Sequence, residues 1–357
     1  MLEKTKAAIV EGADPSVVGP YLAEHLGDES WNTVSVELIS GGKSNLTYLV
    51  TSGAGEVILR RPPLGHVLPT AHDMTREFTV LSGLSDTDVP TPRPIHLCTD
   101  PDVLGVTFYV MERMKGHIVR NEFPPGYADT PEQKRLIGEG LVDTLVRLHR
   151  VDWKAVGLGE FGHPEGFMAR QIRRWKQQWE KSVTRPLEIM DQLISQLEQN
   201  LPVSPSPTIV HGDFRLDNAI LDATDPGKVV AVLDWEMSTI GDPLADLGLM
   251  LCYWPQQDDN DEFKRSFSGI TATAAPGFPS RDSVLEQYAR RSGRDVSQVY
   301  YYWAFGFFKL AVILEGIHAR FLQGKTLGEG FEGIGERVPP LVMLGLWVLD
   351  RKEVSAI

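Results

Sequence analysis

The stretch HGDFRLDN, residues 211–218, places Asp213 and Asn218 five positions apart on one loop that leads into a short apolar run. Phosphoryl transfer needs a carboxylate to orient and deprotonate the attacking hydroxyl, and an oxygen ligand for magnesium close by. Asp213 and Asn218 supply that pair. Asp234 closes the apolar run VVAVLD, 21 residues after Asp213, where the end of a strand can aim a second carboxylate at the same ion. Magnesium draws on few protein oxygens and leaves the rest to phosphates, so one Asp and one Asn suffice. Other polar groups nearby read as structure: Asp217 and Asp222 as turn formers, His149 as a packed helix residue, His211 as a brace for the loop, and Asp246 as a helix-bracing carboxylate.

The elements that must hold these groups fall into two regions, as expected for 357 residues. In residues 1–114, Asp14 and Pro15 open a helix over 15–26. Short β-branched runs broken by SGGKSN and TSGAGE then predict consecutive antiparallel hairpins over 35–61. DMTREFTVLSGL predicts a helix with Met74, Phe78 and Leu81 on one face, and RPIHLCTD and TFYVMERMKG complete a five-stranded antiparallel sheet. Residues 115–357 are mainly helical, with Leu141, Leu145 and Leu148 at helical spacing and a short hairpin around the two motifs. The fold class is therefore α+β, a small sheet lobe followed by a larger helical lobe.

Composition narrows the function. A net charge of 35 − 48 = −13 argues against non-specific nucleic-acid binding and against an anionic membrane surface. Cys98 and Cys252 alone make neither a disulfide framework nor a zinc knuckle, which fits a reducing cytoplasm. The most apolar run, YYYWAFGFFKLAVIL, is too short for a membrane span and carries Lys309 in its middle. The N-terminal text has no long uncharged segment of the secretory kind.

The order of ISGGKSNLTYLV, VILRRPP, REFTVL, FYVMERMKG, LVRLHRVD, VHGDFRLDN and VLDWEMSTIGDPLADLG resembles the aminoglycoside-phosphotransferase and choline-kinase-like family, which shares the protein-kinase fold. It is most similar to the branch whose domain occurs fused to acyl-CoA dehydrogenases. The resemblance implies an ATP- and Mg2+-dependent kinase acting on the hydroxyl of a small molecule. It implies Asp213 as catalytic base, Asn218 and Asp234 as magnesium ligands, and Asp246 as a support for the catalytic loop. It implies phosphate contact by Ser44 and Asn45, although SGGKSN alone is only a hairpin turn. The backbone of Glu112 and Met114 would meet adenine. Two departures stand out. The strand lysine that pairs with a helix glutamate is replaced by Arg60, opposite Glu77; a fixed planar fork differs from a point charge, and the change fits either a bidentate phosphate clamp or weakened turnover. Asp234-Trp235-Glu236 replaces the mobile Asp-Phe-Gly segment.

The acceptor is less legible. Arg170, Arg173 and Arg174 lie on one predicted helix, with Trp175 and Trp179 spaced to pack it inward. They read as a solvated basic face or as the seat of an anionic acceptor, such as a hydroxyacyl-CoA. The carboxylates of QQDDNDEF, residues 256–263, keep an aminoglycoside- or choline-type cationic acceptor open. A nucleotide-binding module without turnover is the rival reading. A metal-dependent hydrolase is disfavoured, because the aspartates lack histidine ligands or dinuclear spacing. Oligomeric state is left open, a homodimer included.

Overall fold

The structure is a computed structural model that describes residues 10–39, 45–64, 73–266, 271–325 and 330–354. The chain divides into two compact units: one runs to Lys115 and also takes in Ala231–Glu236, and the other comprises Gly116–Val230 and Met237 onwards.

In the first unit, helix α1 (Pro15–Leu26) starts where the Asp14 carboxylate accepts the Ser16 N–H at 2.9 Å and ends on left-handed Gly27. Five antiparallel strands follow: β1 (Ser35–Leu38), β2 (Leu46–Ser52), β3 (Gly55–Arg61), β4 (Pro94–Cys98) and β5 (Phe108–Glu112), in the order β1-β2-β3-β5-β4. Val18, Leu22, Trp31, Tyr48, Val50, Leu59, Phe108 and Val110 form its core. Helix α2 (Met74–Leu84), capped by Asp73, buries Met74, Val80, Leu81 and Leu84. Phe78 is only half-buried, edge-on to Tyr109; the buried face instead includes a charge, Glu77. A four-residue helix, α3 (Pro101–Leu104), precedes β5.

The second unit holds α4 (Pro131–Arg150), α5 (Phe167–Ser182), α6 (Glu188–Gln199), β6 (Thr208–Val210), β7 (Ala219–Leu221), β8 (Val229–Val232), β9 (Thr239–Gly241), α7 (Pro243–Cys252), α8 (Asp261–Ser266), α9 (Arg281–Ser292), α10 (Val299–Leu322) and α11 (Val338–Arg351). The unit boundary falls inside β8. Division at residue 114 had placed 231–236 with the helical part. They belong to the first unit because the Val232 N–H donates to the Pro90 carbonyl at 2.9 Å, and because Asp234 and Glu236 meet side chains there.

The apolar run at 300–314 becomes α10, whose Tyr301, Tyr302, Trp303, Phe307 and Phe308 are buried where it packs on α5, α7 and α11. At Gly248 a Cβ would stand 2.4 Å from Tyr302 backbone, so α7 and α10 approach as closely as they do only with glycine there. Among the described residues no helix is long and apolar enough to cross a membrane.

Candidate active site

In the first unit, three carboxylates gather around one guanidinium. Arg60, on β3, lies with Nε 2.8 Å from Glu77 Oε2 and Nη2 2.5 Å from Asp234 Oδ1. Glu77 also accepts from Tyr109 Oη at 2.9 Å and from Asn45 Nδ2 at 2.9 Å, and the same amide donates to Glu236 at 3.0 Å. Burial works against the Arg60 charge, but Glu77 and Asp234 hold the guanidinium above its ordinary value. Burial pushes the Glu77 carboxyl up, and Arg60 opposes that.

One guanidinium fork thus reaches both carboxylates. This geometry also corrects the reading of Asn45. That side chain is buried and its amide nitrogen is committed to two carboxylates, so it is a bracket between β2, α2 and the 234–236 turn and does not present itself to phosphate. Ser44 lies outside the described residues. Asp234 has φ 66°, a left-handed conformation that aspartate tolerates better than most residues and that sets the direction of its carboxylate. Next to it Trp235 is buried and its indole donates to the Val232 carbonyl at 3.0 Å, which pins the segment. At the end of β5, the Glu112 N–H is engaged by the Arg93 carbonyl at 2.9 Å and is not available to an adenine edge.

In the second unit the 211–218 loop follows β6. Its backbone is fixed from below by Asp246 on α7, which accepts the His211 N–H at 2.6 Å and the Gly212 N–H at 2.7 Å. His149, on α4, is tied to Tyr288 Oη at 2.7 Å and to Asp246 Oδ2 at 3.3 Å. His211 is fully buried and its Nδ1 accepts the Asp213 N–H at 3.1 Å. Gly212 has φ 84°, and a Cβ there would meet the Met237 carbonyl at 2.6 Å; the turn therefore demands glycine.

Asp213 Oδ2 accepts from Asn218 Nδ2 at 2.9 Å and lies 3.2 Å from Arg215 Nε. Oδ1 accepts no hydrogen bond among the described residues. Asn218 Nδ2 also donates to the Asp213 carbonyl at 2.8 Å, which leaves its Oδ1 as an oxygen donor for a cation. Arg215, unnoticed in the sequence, bridges to Asp217 at 3.1 Å and stacks over the Tyr253 ring at 4.6 Å. Asp217 is thus an ion-pair partner whose carboxyl is raised by burial, more than a turn former. Asp222 does form the turn after β7, accepting from the Thr224 and Asp225 N–H groups.

Of the expected acceptor residues on α5, Arg173 and Arg174 are exposed, whereas Arg170 donates to the Glu165 and His163 carbonyls and serves the loop before its own helix. Trp179 is buried and Trp175 half-buried. The carboxylates at 256–263 are partly spent internally: Asp259 forms a fully buried pair with Arg281 at 2.5 Å.

Asp246 makes the stability of this scaffold sensitive to acid. Burial raises its carboxyl, but the bonds from His149, the Gly212 N–H and the charge field of His211 outweigh burial and hold it below the ordinary carboxylate value. His149 itself is pushed down by burial. A depressed native value contributes stability above the unfolded value of about 4, and that contribution is lost as pH falls through the native value. Asp246→Asn is therefore expected to be less stable than wild type at pH 7, with a gap that narrows below about pH 4. Urea unfolding across pH 3–7 checks this; a constant gap would contradict it.

The model of the phosphotransferase enzyme family matches residues 35–299. The chain belongs to that family. Rat (Rattus norvegicus) acyl-CoA dehydrogenase family member 11 is 35% identical over 345 residues, covering 94% of this chain and 43% of the relative. Mouse (Mus musculus) acyl-CoA dehydrogenase family member 10 is 33% identical, covering 93% of this chain and 31% of the relative. The chain thus spans less than half the length of these curated relatives. A crystal structure from Ralstonia eutropha, provisionally assigned as an aminoglycoside phosphotransferase, superposes with TM-score 0.80 at 32% identity, covering 95% of this chain and 98% of that one. Choline kinase from Cryptosporidium parvum shares the fold, with TM-score 0.63 at 14% identity and coverage of 95% and 96%. The fold is kinase-like, a small antiparallel sheet with a larger helical part.

Proposed function

We propose that this protein transfers the γ-phosphoryl group of ATP to the hydroxyl of a small anionic molecule. The observation that carries the reading is the Asp213 carboxylate, held at Oδ2 by Asn218 and Arg215, with Oδ1 bonded to none of the described residues. A carboxylate so presented accepts the proton of an attacking hydroxyl as the new P–O bond forms and the bond to the β-phosphate oxygen breaks.

Two places would each favour magnesium: in the second unit Asn218 offers Oδ1, and in the first unit Asp234 belongs to a cluster of three carboxylates and one guanidinium whose excess negative charge favours a cation. Among the described residues no three His, Cys, Asp or Glu converge as a metal site by themselves. Bound, the ion would neutralise phosphate charge. Arg60 steadies Asp234 and Glu77, Asp246 fixes the loop, and Arg215 keeps the base oriented; catalysis rests mainly on positioning and electrostatics.

Arg173 and Arg174 are exposed cations on α5, and the relatives' acyl-CoA dehydrogenase names supply the acceptor class to test first: hydroxyacyl-CoA thioesters. The free, buried Cys98 and Cys252 fit a reducing, cytoplasmic setting. Phosphate transfer from labelled ATP should be scored against a panel of hydroxyacyl-CoA thioesters, aminoglycosides and choline. The reading expects product with the thioesters, and Arg173→Glu/Arg174→Glu should raise their KM about tenfold or more while leaving KM for ATP unchanged. Product only with the cationic acceptors would overturn the acceptor class, and unchanged KM in the double variant would remove α5 from recognition.

A further inference from the structure

Lys309 sits in the middle of α10, flanked by Phe305, Phe308, Leu310 and Val312, and it is 7% exposed. A lysine in such a place costs desolvation free energy that a leucine would not. Burial lowers its basicity, while Asp213 and Asp246 act to restore its charge. Its one hydrogen bond among the described residues is to the Gly212 carbonyl at 2.7 Å, and the ammonium lies 5.6 Å above the Trp175 ring of α5. The Gly212 N–H is held by Asp246. The residue before Asp213 is therefore gripped on both its polar groups by buried charges of opposite sign, a carboxylate on the donor and an ammonium on the acceptor.

We propose that Lys309 is a positioning residue for phosphoryl transfer: with Asp246 it fixes the Gly212 backbone and hence the direction in which Asp213 presents its carboxylate. The inference rests on the kinase reading above for its effect on turnover, and on geometry alone for its effect on the loop. Charge-assisted bonds to a backbone carbonyl are stronger than neutral ones, and Gly212, with its left-handed φ, has the freest backbone in the loop and the most to gain from being held. The Trp175 face beneath the ammonium ties α5, which carries Arg173 and Arg174, to the same point.

The test compares wild type, Lys309→Met, which keeps length but removes charge and donor, and Lys309→Arg, which keeps both. Hydrogen exchange is followed on the 208–218 peptide, with α9 and α11 as references, and ATP turnover in Mg2+ is measured in parallel. The expected result for Lys309→Met is exchange at His211–Asp213 faster by about tenfold or more with α9 and α11 unchanged. A kcat lower by about 100-fold at unchanged KM for ATP should accompany it, because small misplacements of a catalytic group cost that much. Lys309→Arg should recover part of both. Loop exchange and kcat equal to wild type in Lys309→Met would overturn the proposal, and so would exchange accelerated equally throughout the second unit, the sign of a lysine that only fills the core. Lys309→Gln, a donor without charge, takes the place of the methionine variant should that fail to fold; smaller changes in the same direction are expected, and loop exchange and kcat equal to wild type would again overturn the proposal. A wild-type protein with no ATP turnover would refute the kinase reading, while the exchange arm would still decide the role of Lys309 in the loop.

Discussion

Asp213→Asn is expected to lower kcat for phosphoryl transfer by about 10³-fold while leaving Mg-ATP binding intact. The substitution keeps the size of the side chain and leaves the Asn218 amide a carbonyl oxygen to bond, so the loop retains its shape. What it removes is the proton acceptor. Positioned general bases contribute roughly 10²–10⁴-fold, and in the proposed reaction Asp213 would also orient the acceptor, which places the expected loss within that range. Steady-state kinetics with the best acceptor, together with the ATP-induced rise in Tm, separates the two effects. Loss of ATP binding in Asp213→Asn would show that the aspartate supports the nucleotide and not the hydroxyl.

Arg60→Met is expected to destabilise the folded protein by about 3–5 kcal/mol, because removing one member of a buried pair leaves the other as an uncompensated charge. Glu77 is 1% exposed and would keep only Asn45 and Tyr109 as donors, with Asp234 and Glu236 close by. Adding Glu77→Gln to Arg60→Met should recover much of that loss, since the unpaired charge is then gone. Urea denaturation of the two single variants and the double variant measures the coupling. A cost below about 1 kcal/mol for Arg60→Met would place Arg60 among the weak surface pairs and contradict its description as the centre of the carboxylate cluster. Lysine at this position has a single point charge where arginine has a fork, and Arg60→Lys should hold Glu77 or Asp234 but not both.

Much of this was legible in the sequence because the signals were local. Asp14 followed by Pro15 fixed the start of α1, the hairpin turns set β1, β2 and β3 as neighbours, and the Asp-x-x-x-x-Asn spacing marked a loop in which Asn218 reaches back to Asp213. What escaped depended on long-range approach. Asn45 looked like a loop residue beside small, phosphate-friendly neighbours, and only the tertiary fold shows its amide taken by Glu77 and Glu236, 32 and 191 positions away. Arg170 shared a helix with Arg173 and Arg174, yet the loop before that helix claims it. Residues 231–236 followed the helical text but belong with the sheet, because Asp234 has a partner 174 positions earlier. One missed residue did leave a trace: a single lysine in a fifteen-residue apolar run excluded a membrane span, and a charge so placed also signals a buried partner.

The central claim is that Asp234 serves the metal and nucleotide while Asp213 serves the acceptor. Thermal stabilisation by ATP in the presence and absence of Mg2+, measured on wild type, Asp213→Ala and Asp234→Ala, tests it most directly. A ligand that binds only the folded state contributes RT ln(1 + [L]/Kd), about 2.7 kcal/mol at a hundredfold excess over Kd. The account predicts a Mg2+-dependent shift in wild type and Asp213→Ala and none in Asp234→Ala. Absence of any shift in wild type, or an undiminished shift in Asp234→Ala, would contradict it.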